Sequence, residues 1–480
     1  MPDTIILWFR QDLRINDHPA LQAAAAAGGP VLPLYILDDD SPGRWRAGGA
    51  SRWWLHHSLA ELATTLKSKY RLPLVLRRGE PRQILADLCR ESGASRVFCS
   101  RQYEPWAASL EEQLHQSLGE MGITLRRFAG SLLFEPGSVL TGAGTPFKVF
   151  TPFWKACRSA PEPRWPLSPP DTLPAPAQLP ASDSLADWQL TPRKPDWARG
   201  WDERWQPGSE GAAAALAAFL GDRLGSYSHD RDVPALRGTS GLSPHLHFGE
   251  ISPRTVWHAA SQQARGNPAL TEELSRFLGE LGWREFSYHL LHHFPGLPDE
   301  PFREAFRAFP WQRNDSLLKA WQAGQTGYPL VDAGMRELWQ TGYMHNRVRM
   351  VAASFLTKHL LQPWQDGEAW FWDTLVDADL ANNAASWQWV AGCGADAAPY
   401  FRIFNPSAQG GKFDPDGEYV RHWVPELARL PARYVHCPVE APPAALEEAG
   451  IVLGRDYPLP LVDHRLARER ALESYRSLSQ

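Results

Sequence analysis

Residues 376–405 read VDADLANNAASWQWVAGCGADAAPYFRIFN. The segment is apolar enough to be buried, yet it carries Asp377, Asp379, Asn382, Asn383, Asp396 and Arg402. Buried polar groups need hydrogen-bond partners, and buried charges need counter-charges. On a helix, Asp379, Asn383 and Trp387 stand at i, i+4 and i+8, close to one stripe of one face. A carboxylate, an amide and an indole aligned in an apolar wall predict a helix facing a polar, planar ligand. Taken singly, each of these residues also suits a helix cap or a satisfied core position.

Helical periodicity surrounds this segment. Patterns over Gly211–Leu224, Pro253–Ala264, Thr271–His292, Ala333–Leu361 and Glu368–Val390 predict an all-helical C-terminal domain, ending in a polar helix from about Asp456. In RFLGELGWREFSYHLL (276–291), Glu280, Trp283 and Arg284 fall at i, i+3 and i+4. They read either as an intrahelical ion pair beside a core indole or as a pocket floor with a stacking plate, a polar probe and a phosphate-seeking cation. In GYMHNRVRMVAASFL (342–356), Asn346, Arg349 and Met350 share a face while Arg347 points elsewhere. A buried arginine there calls for a carboxylate such as Asp377 or Asp379. The loop RGTSGLSP (237–244) offers hydroxyls and N–H groups at a helix start, which suits a phosphate as well as a plain N-cap.

The N-terminal part alternates short apolar runs (Thr4–Phe9, Val31–Leu37, Leu72–Leu76, Val97–Ser100, Thr124–Phe128) with helical patterns (Ala20–Ala27, Ser51–Lys67, Pro81–Ser92). That alternation predicts an α/β domain with a doubly wound parallel sheet and a crevice at the strand C-termini. No GxGxxG follows the first run, so the ordinary dinucleotide fingerprint is absent. Ten prolines between Ser159 and Gly200 predict a stiffened connector. The expected division is an α/β domain over 1–135, a connector over 136–205 and a helical domain over 206–480.

Composition narrows the function classes. No run of about 18 apolar residues exists to span a membrane. The five scattered cysteines, without a CxxC pair, argue against a disulfide framework or a structural zinc site and favour a reducing cytoplasm. A net charge of −5 does not advertise nucleic-acid binding, although a local basic groove is compatible with it. The 22 tryptophans stand out, because each buried indole N–H wants a partner. Such a surplus suggests stacking surfaces or redox relays beside ordinary packing.

Seven stretches in order carry a family resemblance: WFRQDLRINDHPAL (8–21), KVFTPFWKAC (148–157), GTSGLSPHLHFGEISPR (238–254), LGWREF (281–286), GYPLVDAGMR (327–336), GYMHNRVRM (342–350) and DADLANNAASWQW (377–389). The chain resembles the photolyase/cryptochrome family over nearly its whole length. It is most similar to bacterial cyclobutane pyrimidine dimer photolyases of class I or of the plant-cryptochrome-like class III. The resemblance implies an α/β antenna domain and a helical domain holding FAD in a folded conformation. By motif position, Tyr227, Thr239, Ser240, Leu242 and Ser243 would contact the FAD phosphates. Asn346, Arg349, Asp377, Asp379 and Asn383 would line flavin and ribose, with an Arg349–Asp377 ion pair and Asn383 against flavin N5. Gly241 stands where many relatives carry an arginine, which shifts weight onto hydroxyls and backbone.

Within the family, Asn383 replaces the aspartate usual in plant photoreceptors. Glu280, Trp283, Met350 and Trp389 match the lesion pocket of dimer-repairing members, and the histidine pattern of (6-4) photolyases is not found. Light-driven, base-flipping repair of damaged DNA is therefore the expected function, with a blue-light photoreceptor as the alternative. Trp387, Trp364 and Trp311 match the family's tryptophan triad, and Arg231, Arg284, Arg347, Arg402 and Lys412 its DNA groove. GGASRWWLHHSL (48–59) resembles a segment of folate-carrying relatives, whereas RQYEPWAASLEE (101–112) lacks an Asn-Glu pair that some of them have. Methenyltetrahydrofolate is the first expectation for the antenna, with a deazaflavin, FMN or an empty site open. A cytoplasmic monomer acting on UV-damaged DNA, without a metal, completes the expectation.

Overall fold

The computed structural model describes residues 3–396 and 401–479. Five strands, β1 (Thr4–Phe9), β2 (Val31–Leu37), β3 (Val75–Arg78), β4 (Ala94–Ser100) and β5 (Thr124–Phe128), form one parallel sheet in the order β3-β2-β1-β4-β5. Side chains of a strand alternate between faces, and both faces of β1 are covered. Ile5, Leu7 and Phe9 pack with Leu21 of helix Pro19–Ala26 and Trp54 and Leu59 of helix Gly49–Tyr70. Ile6 and Trp8 pack with Leu85 of helix Pro81–Ser92 and Leu114 of helix Pro105–Glu120. A central strand buried on both sides is what a doubly wound sheet requires.

The strand ends deviate from the expected ones for local reasons. β3 starts at Val75 rather than Leu72, because Pro73 has no N–H for the ladder. β4 starts at Ala94 rather than Val97, since a register shift between Thr4 and Ile5 draws Ala94 into pairing. The proline-rich connector forms no long element, yet it is tied down. Asp17 N donates to Leu167 O (2.8 Å), Val31 N to Pro174 O (2.9 Å) and Asp183 N to Leu76 O (2.9 Å). Leu173, Trp188 and Leu190 complete the core that holds Phe9 and Trp53.

By compactness the chain falls into two units. The first comprises Met1–Gly225, Ser240–Pro295 and Val376–Ala381; the second comprises Ser226–Thr239, Gly296–Leu375 and Asn382–Gln480. Each is assembled from segments far apart in sequence.

Two long helices expected from periodicity are broken. Instead of one helix over Ala333–Leu361 there are helices Pro329–Thr341 and Asn346–Ser354, followed by a π-helical turn, Phe355–His359. Gly342, with φ +68°, ends the first, and the His345 side chain caps the second by accepting from Arg347 N. Instead of Glu368–Val390 there are helices Trp364–Thr374 and Leu380–Ala391. Asp377 and Asp379 lie in the break, consistent with the preference of aspartate for caps over helix interiors. Gly211–Leu224 likewise ends its regular helix at Ala218 and continues as a π turn, Phe219–Arg223. The last helix runs over His464–Arg476, since Pro458 and Pro460 keep the preceding residues non-helical.

Candidate active site

Helix Thr271–His293 carries the expected plate. The Trp283 ring stacks on Phe150 with centroids 3.7 Å apart and planes 9° apart, yet the residue is 38% exposed. One face of the indole is therefore fixed by the protein, and surface remains for a planar ligand. Glu280 is half-buried one turn earlier on the same face. Gly282 permits this packing, because a Cβ there would come within 2.7 Å of the Trp154 ring.

Arg284 departs from the expectation of a phosphate-facing cation. Its Nη1 donates to Ser131 O (2.9 Å), its Nη2 approaches Leu246 O (3.5 Å), and its guanidinium lies over the Tyr288 ring. A guanidinium committed to carbonyls and 11% exposed acts inside the unit rather than on a DNA surface. The neighbouring Glu285 is buried and accepts from Leu133 N and Phe134 N, both at 3.0 Å. Burial pushes its carboxyl up to about 7 against the Arg284 charge and those two N–H groups.

Asp379 anchors a buried polar cluster that sequence reasoning saw only in part. Its Oδ2 accepts from Tyr288 Oη (2.5 Å) and lies 3.3 Å from His247 Nδ1. Against the cost of burial, these two partners and the charge of Arg284 hold the carboxyl well below the usual carboxylate range. Glu104 is buried nearby, and burial followed by the Asp379 charge raises its carboxyl. Tyr288 was within reach of the sequence, standing at i+4 from Arg284 on the same helix. Asp377 accepts from Ser243 Oγ at 2.7 Å.

The Ser/Thr loop takes the shape its glycines allow. Gly241 adopts φ +70°, and a Cβ at Gly238 would fall 2.4 Å from Asp230 O. Ser240 Oγ accepts from Leu242 N, and Ser243 opens helix Ser243–His247. Leu242 is buried, so it offers a ligand only its backbone, and Tyr227 is likewise buried. Thr239 is half-exposed.

In the second unit, Asn383 is buried and its Nδ2 donates to Glu368 O (3.0 Å), which leaves the amide oxygen as an acceptor. Trp387 and Trp364 are buried and Trp311 is half-exposed, packed at 4.3 Å against Phe309. Trp387 meets Phe371 edge-on at 5.0 Å and Trp321 at 6.2 Å. Among the described residues its indole N–H has no hydrogen-bond partner. Arg349 Nε donates to Met344 O (2.7 Å), and Asn346 is exposed at the helix start. Burial lowers the His345 pKa to about 4, which keeps Nδ1 free of a proton to accept the capping N–H. Arg347 does not point away from Met350 as expected: Nη1 lies 4.0 Å from Met350 Sδ, and Nη2 pairs with Asp232 at 2.7 Å. Arg347 and the exposed Lys412 both lie against the Phe413 ring, Arg402 lies over Phe404, and Arg231 over Tyr227. These aromatic supports hold a set of basic side chains at or near the surface.

Two family profiles match the chain: "DNA photolyase" over residues 5–177 and "FAD binding domain of DNA photolyase" over residues 277–477. A deoxyribodipyrimidine photo-lyase of Agrobacterium fabrum is 52% identical, covering 99% of this chain and 98% of its own. The chain belongs to the photolyase/cryptochrome family. Cryptochrome-1 of Arabidopsis thaliana is 40% identical across 99% of this chain and 70% of its own length. The crystal structure of a bacterial class III photolyase from Agrobacterium tumefaciens superposes with a TM-score of 0.96 at 51% identity, covering 100% of this chain and 98% of that one. An archaeal photolyase from Sulfolobus tokodaii, solved with two FAD molecules, gives a TM-score of 0.81 at 28% identity, covering 99% of this chain and 100% of that one. The two-domain fold, a parallel sheet followed by a helical FAD-binding domain, is thus the family fold.

Proposed function

We propose that this photolyase-family chain is a deoxyribodipyrimidine photo-lyase that splits cyclobutane pyrimidine dimers in DNA. The observation that carries the reading is Trp283: an indole stacked on Phe150 on one side and 38% exposed, with Glu280 one turn away. Two adjoining pyrimidines need such a plate, and a flipped lesion needs a polar group at its base edges. Trp283 and Trp389 hold the dimer by apolar and π contact, Met350 fills the pocket, and Glu280 hydrogen-bonds a pyrimidine and stabilises the charge it gains.

The donor set suits FAD. The Thr239, Ser240 and Ser243 hydroxyls, with the backbone of Leu242 and the buried Tyr227, fit its phosphates. Asn346, Arg349, Asp377 and Asp379 fit its ribityl and ring polar atoms. Asn383, with one amide N–H donated to Glu368 O, keeps its oxygen as an acceptor and has no acidic proton to transfer to N5. Bound in its reduced form, FAD supplies on excitation the electron that opens the cyclobutane ring, and the electron returns afterwards. Trp387, Trp364 and Trp311 carry the electron that restores that reduced form. Arg231, Arg347, Arg402 and Lys412 position the DNA through phosphates without reading sequence.

The division into an antenna module (1–135), connector (136–205) and flavin module (206–480) is kept as a functional one. Methenyltetrahydrofolate is the proposed antenna. The strand-end crevice between β1 and β4 is crossed by Arg10, whose Nη2 donates to Glu111 Oε1 (2.5 Å), so a chromophore there would have to displace an ion pair. Among the described residues, no helix is long and apolar enough to cross a membrane, and a cytoplasmic monomer is proposed.

The test is repair of thymine-dimer oligonucleotides under blue light by chemically reduced protein. Repair is expected in the wild type and is expected to fall about a hundredfold in Trp283→Ala and Glu280→Ala. Absence of repair by the reduced wild type would overturn the proposal. The similarity to Cryptochrome-1 supports a second reading, a blue-light receptor, which would show flavin photochemistry without preference for damaged DNA.

A further inference from the structure

The second unit holds a small cleft, with enclosed space of about 10 Å³ below an open mouth, whose lining includes Arg303, Lys358, Trp389, Phe401, Arg402 and Tyr475. Lys358 is wholly buried, and among the described residues its Nζ has no hydrogen-bond partner. The amine belongs to the π turn Phe355–His359, a geometry often found at functional positions. Nζ stands 3.3 Å from the centroid of the Phe401 ring. Gly392, at φ +90°, passes close by; a Cβ there would meet Nζ at 3.5 Å and the Phe401 ring at 3.0 Å.

Among the described residues, no carboxylate stands beside the amine to supply a counter-charge. Cys393 is the group whose charge would raise the Lys358 pKa, but burial pushes its thiol up to about 12. Its Sγ lies 3.7 and 3.8 Å from the side-chain and backbone oxygens of Gln388, where a protonated thiol donates. His359, next in the turn, is neutral because burial lowers its pKa to about 3. Burial brings Lys358 itself down to about 7. Among the described residues, the cleft lining thus brings three basic side chains, Arg303, Lys358 and Arg402, together with aromatic walls and no carboxylate. Arg303 and Arg402 are exposed, and Arg303 Nη1 is oriented by Gly392 O at 3.2 Å.

We propose that this cleft is a site for a small oxyanion of phosphate chemistry, held by the Arg303 and Arg402 guanidiniums, with the buried Lys358 amine supplying the third positive charge. Lys358 has no exposed surface, so it acts on the anion through the low-dielectric interior rather than by contact with solvent-borne ions. Two sources fit that chemistry, free phosphate and a phosphate of a DNA strand; only the second rests on the repair reading.

The test uses the FAD-loaded full chain and inorganic phosphate at constant ionic strength, read by thermal unfolding. A saturable rise in Tm is expected in the wild type. The half-saturating concentration should increase about tenfold in Lys358→Met and in Arg303→Gln. Arg303→Gln changes an exposed side chain and keeps the test open if Lys358→Met does not fold. A wild type without a saturable effect, or variants that respond as the wild type does, would overturn the site. A second arm adds a thymine-dimer oligonucleotide: competition with phosphate assigns the site to a strand phosphate, and additive binding to a free anion. An oligonucleotide that does not bind at all would sink the repair reading and leave the anion site standing.

Discussion

Trp54 in the first unit and Trp387 in the second are both buried, and their indole N–H groups are treated differently. The Trp54 indole donates to Glu250 Oε1 at 2.8 Å and packs edge-on against Trp205 at 5.4 Å. Trp321, beside Trp387, is anchored the same way, through Ala352 O at 3.0 Å. The Trp387 N–H is left without a partner among the described residues, at the cost of desolvating a donor. A buried indole that is anchored contributes to the fold through its N–H. One that is not anchored contributes only through its ring, which is compatible with the relay proposed for Trp387. Burial alone does not separate Trp54 from Trp387, and a missing N–H partner is shared by Trp8 and Trp257, so only mutation of each ring separates their parts.

The contrast is sharpest in light-driven flavin reduction. Trp387→Phe should abolish it while shifting Tm by less than about 3 °C, whereas Trp54→Phe should leave photoreduction intact. Persistent photoreduction in Trp387→Phe, followed by absorbance under blue light, would remove the relay assignment. In chemical denaturation the order reverses. Trp54→Phe strips a donor from the buried Glu250 and opens a cavity, for a loss of about 3 kcal/mol. Gly367→Ala should follow at about 2 kcal/mol, because its Cβ would fall 2.1 Å from Trp387 Cη2. An altered Trp387 emission should accompany that loss, and an unchanged denaturation midpoint would show that the ring is free to shift.

Glu285 offers a smaller test, through pH. Its folded pKa of about 7 lies above its ordinary value of 4.5, so the folded state binds the extra proton. This group's contribution is fully present below about pH 4.5 and is lost as pH rises through about 7, on the order of 3 kcal/mol. Glu285→Gln should flatten the stability profile over that range; an unaltered slope in denaturant titrations would assign it to another group. The smallest effect belongs to Trp311→Phe, which should slow photoreduction yet spare repair by chemically reduced protein. Loss of both would contradict its place at the outer end of the relay.

How much of this was legible in the sequence depends on the range of the interaction. The sheet was readable because each strand carries its own apolar pattern, and Pro81–Ser92 and Pro253–Ala264 end where caps and breakers put them. The helix breaks at Gly342 and at Leu375–Asp379 were missed because the apolar period runs through them. The second break places Asp379 just ahead of the helix on whose face periodicity aligned it with Asn383 and Trp387. Trp283 was picked out, but its support Phe150 was not, since 133 positions separate the two and only folding joins them. Arg284 reads as a surface cation until Ser131 O and Leu246 O are seen to take it. Lys358 gives no local signal at all, because a lysine in a helical pattern looks solvated.

The tethered connector has a consequence for anyone who would cut this chain. A fragment ending at residue 135 would carry every strand but leave behind Leu167, Pro174 and Asp183, whose backbones bond to the sheet unit. It would also lack Leu173, Trp188 and Leu190 from its core, and would present the uncovered surface of Phe9 and Trp53 to water. Such a truncation is expected to aggregate, whereas one ending after Trp205 keeps the strap. A cut past the prolines keeps the strap, yet the unit is complete only with Ser240–Pro295 and Val376–Ala381, which supply Phe248 and Val376 to the same core.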